Sequence, residues 1–420
     1  MSITTLAAEV GIDPRRWPDV VAVPDNRLRG LIAERLVRRA VKSLPIRVTT
    51  ADGNRFGGGN LTDPDMHLVR PEHFYQRLAA GGLIGFGESY LAGDWTSEDL
   101  AGLLTIMASR MATLIPPSLQ RLRAAVVHAR PTAQDNTLDG SRQNIQRHYD
   151  LSNELFQLFL DPTLTYSAAL FPADPAYSGE ALGTAQHCKI DRLLDLAEVR
   201  AGSTVVEVGT GWGELAIRAA RRGARVTTVT LSNEQAELAT KRIAEAGFTD
   251  QVEVRLQDYR EIGGTFDALV SVEMIEAVGA NHWHEYFGAI ERLVKPGGRA
   301  ALQAITMPHD RMIASLNTYT WIVKYIFPGG QLPSVRSVRE SAAAAGLTVA
   351  SEFTFGLHYA ETLRRWRADF EANAERVGAL SVDFDLAFRR MWSLYLAYSE
   401  AGFRSRYLDV VQFGLTKAVH

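Results

Sequence analysis

Between residues 203 and 307, short apolar runs alternate with longer stretches that are apolar on one side only. "STVVEVG" (203–209), "RVTTVTL" (225–231), "VEVRLQDYR" (252–260), "FDALVSV" (266–272) and "RAALQAITM" (299–307) are short and rich in β-branched residues, and predict five strands. Between them, "GELAIRAARRG" closes on Gly223, and "SNEQAELATKRIAEAG" opens on a capping Ser232 and closes on Gly247. "HEYFGAIERLVKPGG" (284–298) is a further helix and turn. Strands alternating with helices predict an α/β fold with a parallel sheet covered on both faces. In such sheets ligands bind outside the carboxyl ends of the strands.

The pattern before residue 129 is different. "IRVTTADGNRFGG" (46–58) and "MHLVR" (66–70) read as strands, and "LIGFGESYLAGDW" (83–95) is rich in glycine and aromatics. Residues 1–128 are expected to form a smaller α+β domain. The polar stretch "ARPTAQDNTLDGSRQ" (129–143) reads as a linker, and 144–420 as the second domain. Within the first domain, residues 27–42 carry six basic side chains and one acid, with Leu28, Leu31, Ile32, Leu36, Val37 and Val41 at roughly helical spacing. Such a helix either packs on its own domain or lies on an anionic membrane surface.

Composition narrows the function classes. A net charge of −3 over 420 residues offers no general attraction for nucleic acid. The single cysteine, Cys188, has no internal partner, which points to a reducing, cytoplasmic location. The N-terminus lacks a basic segment followed by an apolar one, and no apolar run reaches the ~18 residues of a membrane span, so a soluble protein is expected.

Two places carry candidate chemistry. "VVEVGTGWGE" turns from the first strand into the first helix, with Gly209, Gly211 and Gly213 spaced for close backbone approach to a ligand. The spacing differs from the dinucleotide pattern, and Glu207 would repel a pyrophosphate while suiting an ammonium-bearing ligand such as S-adenosylmethionine. Thr230 and Gln235 flank the second strand's end, where they either meet a ribose or cap the helix. Asp258 and Tyr259 close the third strand, where an acid and an aromatic can hold an adenine. The second place is "SVEMIEAV" (271–278), where Glu273 and Glu276 interrupt an apolar stretch just as a buried strand stops.

Nearly the whole chain resembles the cyclopropane-fatty-acyl-phospholipid synthase family. The resemblance rests on "GFGESYLAGDW", "RHYDLSNELFQLFLDPTLTYSAALF" (147–171), "EVGTGWGELA", "MIEAVG", "KYIFPGGQLPS" (324–334) and "FGLHYAETLRRW" (355–366), in that order. It implies a Rossmann-like class I S-adenosylmethionine methyltransferase domain beside a smaller α+β domain. It also implies methyl transfer to the cis double bond of a phospholipid acyl chain through a carbocation. In the family a bicarbonate ion removes the proton, held by a Glu, a His, a Tyr and backbone groups. Those positions fall on Glu276, Gln303, Tyr359 and Ile305. Tyr166 and Ser167 match cofactor contacts. His148, Tyr149 and Asp150 match a family signature read as structural or cofactor-side. Glu273 is read as cofactor-side or capping. Tyr319, Trp321, Tyr325 and Phe327 are read as lining an acyl tunnel or as plain core.

Three departures matter. Ala168 stands where the family has Cys, Ala277 follows Glu276 in place of His, and Gln303 replaces the family's His. Glutamine exchanges hydrogen bonds but carries no charge, so the bicarbonate site loses a cationic partner. A cation that survives longer permits a hydride shift before the proton leaves, giving an exocyclic methylene rather than a ring. The pattern is most similar to the actinobacterial branch that makes 10-methylene-stearoyl lipid from oleoyl lipid, the alternative product being a cyclopropane. The resemblance further implies peripheral membrane association, a homodimer and a separate reductase. Rival readings are a small-molecule methyltransferase and a non-catalytic cofactor-binding member of the family.

Overall fold

The computed structural model describes residues 12–110, 152–175 and 179–419. The linker stretch and His148, Tyr149 and Asp150 therefore lie outside the described residues. The chain forms two compact units. One takes its residues from the N-terminal part together with Thr318–Ile326 and Leu363–Tyr407; the other comprises the segment ending at Asn317, Phe327–Thr362, and the chain from Leu408 onward. The sequence reading kept 144–420 together, whereas these two later segments belong to the first unit.

After a short helical turn at Pro18–Val21, the first unit has helix α1 (Arg27–Val41), whose first turn is capped by the Asn26 side chain accepting from Arg29 N. Strands β1 (Arg47–Thr50), β2 (Arg55–Phe56) and β3 (Asp65–Leu68) follow, then helix α2 (Pro71–Leu91), strand β4 (Trp95–Thr96) and helix α3 (Leu100–Ser109). The small sheet has the order β2-β1-β3-β4. Much of the glycine- and aromatic-rich "LIGFGESYLAGDW" is helical, in the part of α2 after a break at Gly82. Buried Arg77 holds this unit together. It donates to Asp94 and to the carbonyls of Asp19, Val20 and Ala22, so a charge with no access to water is fully met.

The second unit is the α/β sandwich. Helix α4 (Leu182–Leu196) leads into β5 (Thr204–Val208), α5 (Glu214–Arg221), β6 (Arg225–Thr230), α6 (Asn233–Glu245), β7 (Val252–Leu256) and β8 (Phe266–Val272). A short helix α7 (Ile275–Val278) precedes α8 (Trp283–Leu293), β9 (Val294–Thr306), α9 (Val335–Ala344), β10 (Leu347–Thr354), helix α10 (Gly356–Ala372) and β11 (Asp409–Lys417). The first turns of α10 belong to this unit. All five strands expected from the hydrophobic pattern form, in the order β7-β6-β5-β8-β9, and run parallel.

The sheet is mixed rather than wholly parallel. β11 lies between β9 and β10 and is antiparallel to both. Neighbouring residues of one strand feed opposite faces: Val206 and Val208 enter one apolar cluster, and Val205 enters the other. Both faces are thus covered, and the polar ends of β5, β6 and β8 are left as the place for chemistry.

Candidate active site

The glycine turn follows β5 directly. Gly209 has φ of +102° and Gly211 of +52°, both left-handed. A side chain at 209 would strike Met274 Sδ at 2.9 Å, whereas one at 211 would project into open space. Both positions therefore favour glycine by backbone angle; at 209 the Met274 side chain also crowds the place of a side chain, and at 211 the space beside the backbone is open. Gly213 caps α5, φ +91°. Glu207, two residues before the turn, is buried, and its Oε2 has no hydrogen-bond partner among the described residues. Burial drives its pKa up to about 8, against the opposing pull of the Thr228 hydroxyl and Lys189.

The other expected cofactor residues divide. Thr230 Oγ1 donates to Gln235 Oε1 at 2.9 Å and accepts from Ser232 N, while Gln235 N donates to the Ser232 hydroxyl. Ser232 therefore caps α6, and Thr230 and Gln235 are engaged at that cap in addition to lying at the end of β6. Asp258 accepts from Arg260 N, Nε and Nη2 at 2.8–2.9 Å, so both its oxygens are engaged. Tyr259 packs edge-on against Tyr286, 5.6 Å between centroids, and borders the core of the sandwich. The Tyr166 ring lies edge-on 5.3 Å from Phe156. The Ser167 hydroxyl accepts from buried Lys189 Nζ at 2.6 Å, and its carbonyl accepts from Gln186 Nε2. Burial pulls the Lys189 pKa down to about 8 while the charges of Glu273, Asp161 and Glu207 oppose this.

The centre of the site is Glu273. It ends β8 in a left-handed conformation, φ +52°, which costs a non-glycine residue about 1–2 kcal/mol. Its backbone N donates to the Gln303 carbonyl at 2.7 Å, fixing it to β9. Its Oε1 accepts from Ala168 N at 2.9 Å and from Gln303 Nε2 at 2.8 Å, and its Oε2 accepts from Tyr359 OH at 2.9 Å. Gln303 is itself held. Its Oε1 accepts from Gln412 Nε2 at 3.0 Å, so its amide nitrogen is turned toward Glu273 and the Ala168 carbonyl. Burial raises the Glu273 pKa above the usual carboxylate range, and Lys189 together with the three donors works against that rise.

Glu276 is placed differently. Its Oε1 accepts from Ile305 N, as the resemblance implies, but its Oε2 is buried without a partner among the described residues. Burial first, and the neighbouring charge of Glu273 second, push its pKa up to about 8. The two buried carboxyl groups are thus unequally met: three donors converge on Glu273, whereas Glu276 has one backbone donor from Ile305.

The expected ring of residues is therefore present but converges on the other acid. Ala168, Gln303 and Tyr359 bind the Glu273 carboxylate, and among the donors expected around bicarbonate only Ile305 turns to Glu276. The donors a bicarbonate ion would need are met by a side chain, so the residues do not fit that ion. Of the expected tunnel aromatics, Tyr319, Trp321 and Tyr325 belong to the first unit and Phe327 to the second. Tyr325 OH donates to Glu88 Oε1 at 2.8 Å, beside Lys324.

A seven-stranded sheet with one reversed strand, a glycine turn after its first parallel strand and a buried acid before that turn define a class I S-adenosylmethionine methyltransferase. The mycolic acid cyclopropane synthetase family profile matches residues 136–413. The chain is 50% identical to the tuberculostearic acid methyltransferase UfaA1 of Mycobacterium tuberculosis, over 99% of this chain and 98% of that one. It is 30% identical to the cyclopropane-fatty-acyl-phospholipid synthase of Escherichia coli, over 84% and 88%. The solved structure of the mycolic acid cyclopropane synthase CmaA1 complexed with SAH and CTAB superposes with a TM-score of 0.60 at 34% identity, covering 66% of this chain and 98% of that one. The chain belongs to the mycolic acid cyclopropane synthetase family, whose members are S-adenosylmethionine-dependent enzymes.

Proposed function

We propose that this chain methylates the cis double bond of a phospholipid-bound oleoyl chain and releases 10-methylene-stearoyl lipid, with Glu273 as the proton acceptor. The observation that carries the reading is the Glu273 carboxylate, held by Ala168 N, Gln303 Nε2 and Tyr359 OH. A relative half identical to the chain is named a tuberculostearic acid methyltransferase, which supports a lipid substrate.

The residues that would hold S-adenosylmethionine are Tyr166, Ser167, Glu207, Gly209, Gly211, Gly213, Thr230, Gln235, Asp258 and Tyr259. The Glu207 oxygen without a partner among the described residues and the open space beside Gly211 fit a ligand with an ammonium group and a close backbone approach. When bound, the cofactor supplies an electrophilic methyl group.

On the lipid side, the alkene π electrons form the new carbon–carbon bond at C10 and leave a cation at C9. A hydride moves with its electron pair from C10 to C9, and the cation becomes tertiary. Loss of a proton from the new methyl group completes the exocyclic double bond. Among the described residues Glu273 Oε2 has a single hydrogen-bond donor, Tyr359, which leaves a lone pair for that proton. An acceptor that is one of the chain's own side chains is present at every turnover, and its raised pKa makes it a stronger base than an ordinary carboxylate.

Incubating the purified chain with S-adenosylmethionine and dioleoyl phospholipid, then identifying the acyl products by mass spectrometry, tests the proposal. A methylene product supports it. A cyclopropane would return the family's other chemistry, and transfer to small amines or phenols alone would overturn the lipid reading.

A further inference from the structure

The inner side of α1 is built from small and β-branched residues: Gly30, Ala33 and Val41 are buried, and Gly30 faces Gln76 of α2. The larger apolar residues of the same helix point away. Leu28 is 73% exposed, Leu31 56%, Ile32 49% and Leu36 42%. At about 100° per residue these four fall on one outward half of the helix. Arg35 and Arg39 lie within that half and Arg27 and Arg29 at its two margins; all four are exposed and form no ion pair among the described residues. Arg38 is engaged, pairing with Glu34 at 2.9 Å and stacking over Phe56 at 4.2 Å. The helix's only acid is thus already neutralised.

An exposed helix face of leucines and an isoleucine interleaved with arginines has no use in water. We infer that this face of α1 docks the enzyme on an anionic phospholipid surface, the four apolar side chains entering the acyl boundary and the arginines pairing with phosphates. Arginine stems reach along apolar surface while keeping their guanidinium groups at headgroup level, so interleaving rather than separation of the two residue types suits a lipid interface. A second copy of the chain fits poorly. In a two-fold contact the patch would meet itself, and four unpaired arginines would face four more. The choice of lipid as partner rests on the substrate reading above; the exposed face does not.

The test uses the full chain and sedimentation with vesicles of phosphatidylcholine alone or mixed with phosphatidylglycerol. One variant combines Leu28→Ser, Leu31→Ser, Ile32→Ser and Leu36→Ser; a second combines Arg27→Gln, Arg29→Gln, Arg35→Gln and Arg39→Gln. Wild type is expected to partition onto the anionic vesicles in a salt-sensitive way. Each variant should lose at least about tenfold of that partition while keeping its S-adenosylmethionine affinity, since all eight positions are on the surface. Wild-type partition by the serine variant overturns the inference. A wild-type dimer that the serine substitutions dissociate, with vesicle binding unchanged, also overturns it and makes the face a contact between copies.

Methyl transfer to detergent-dispersed dioleoyl lipid separates the two proposals. Retained transfer with no vesicle binding through α1 removes only the docking surface. Vesicle binding through α1 with no transfer to any oleoyl lipid removes only the proposed reaction.

Discussion

Glu273 and Gln303 are joined twice: the Glu273 backbone N donates to the Gln303 carbonyl, and Gln303 Nε2 donates to Glu273 Oε1. The first bond belongs to the edge where β8 meets β9; the second belongs to the chemistry. A carboxylate tied to the sheet by its own backbone and then clamped by the residue it is tied to cannot wander from the end of the strand. The left-handed φ of Glu273 is the strain that this placement costs, and it persists because the neighbouring bonds over-determine it.

Removing the carboxylate should remove the reaction. Glu273→Gln is expected to lower kcat by about 10²–10⁴-fold with S-adenosylmethionine affinity little changed, the size of a lost general base. Glu273→Gly gives the left-handed position the residue it prefers and vacates a carboxylate-sized space lined by Ala168 N, Gln303 Nε2 and Tyr359 OH. Added bicarbonate or formate should restore part of the glycine variant's activity and none of the glutamine variant's. Steady-state rates with increasing anion check this.

The acidic limb of the pH–rate profile should report Glu273. Its pKa is raised by burial and held down by its donors. Taking a donor away destabilises the anion, so the pKa rises and more alkaline solution is needed for the active form. Tyr359→Phe and Gln303→Leu are each expected to move the acidic limb upward by about one pH unit, the effect of one hydrogen bond to a charged group. A downward shift in either variant would show that another group governs the limb.

Gln412 acts through Gln303. Its amide nitrogen donates to Gln303 Oε1, and that bond decides which end of the Gln303 amide faces Glu273. In Gln412→Leu the amide is free to flip and present its oxygen to the carboxylate. The expected result is a fall in kcat, an upward shift of the acidic limb and an unchanged KM for S-adenosylmethionine. Gln412→Glu, which offers no donor when ionised, should behave like the leucine variant.

Stability should fall as the pH rises. Glu276 and Glu207 both have pKa values of about 8 in the folded chain, far above the ordinary value of 4.5. Between those pH values the folded state keeps protons that the unfolded state has lost, so the stabilisation is full below the unfolded value and disappears as pH rises through about 8. Glu276→Gln stays neutral throughout and should flatten the slope between pH 5 and 8 by about 2–4 kcal/mol in total, read from denaturant midpoints. Glu207→Gln should flatten it in the same direction and, in addition, weaken S-adenosylmethionine binding.

The five parallel strands were legible because each is a short apolar run between helices with recognisable caps, and the glycine turn because its spacing falls directly after the first of them. β10 and β11 were not. Their partners are distant in the chain, with α10 and helix Leu386–Arg404 intervening before β11, so no local pattern announces the pairing. The identities of Ala168, Gln303, Ile305 and Tyr359 were legible through the family motifs. What they hold was not: Glu273 and Glu276 are equally acidic and three residues apart, and only the left-handed turn at the end of β8 sends the first into the ring of donors. The signal that was available is the acid itself, directly after the apolar or small residues Ala268 to Val272. On α1, spacing correctly marked a helix, but Leu28, Leu31, Ile32 and Leu36 face outward because Gly30 and Ala33 allow the closer approach to α2.

The most direct measurement follows the purified chain on dioleoyl phosphatidylglycerol and S-adenosylmethionine in buffer stripped of bicarbonate, with the products identified by mass spectrometry. With Glu273 as the proton acceptor, 10-methylene-stearoyl lipid should form at a rate that added bicarbonate does not change, and Glu273→Gln should form none. A rate that rises with bicarbonate in the wild type, or a cyclopropane product made equally well by Glu273→Gln, would contradict it.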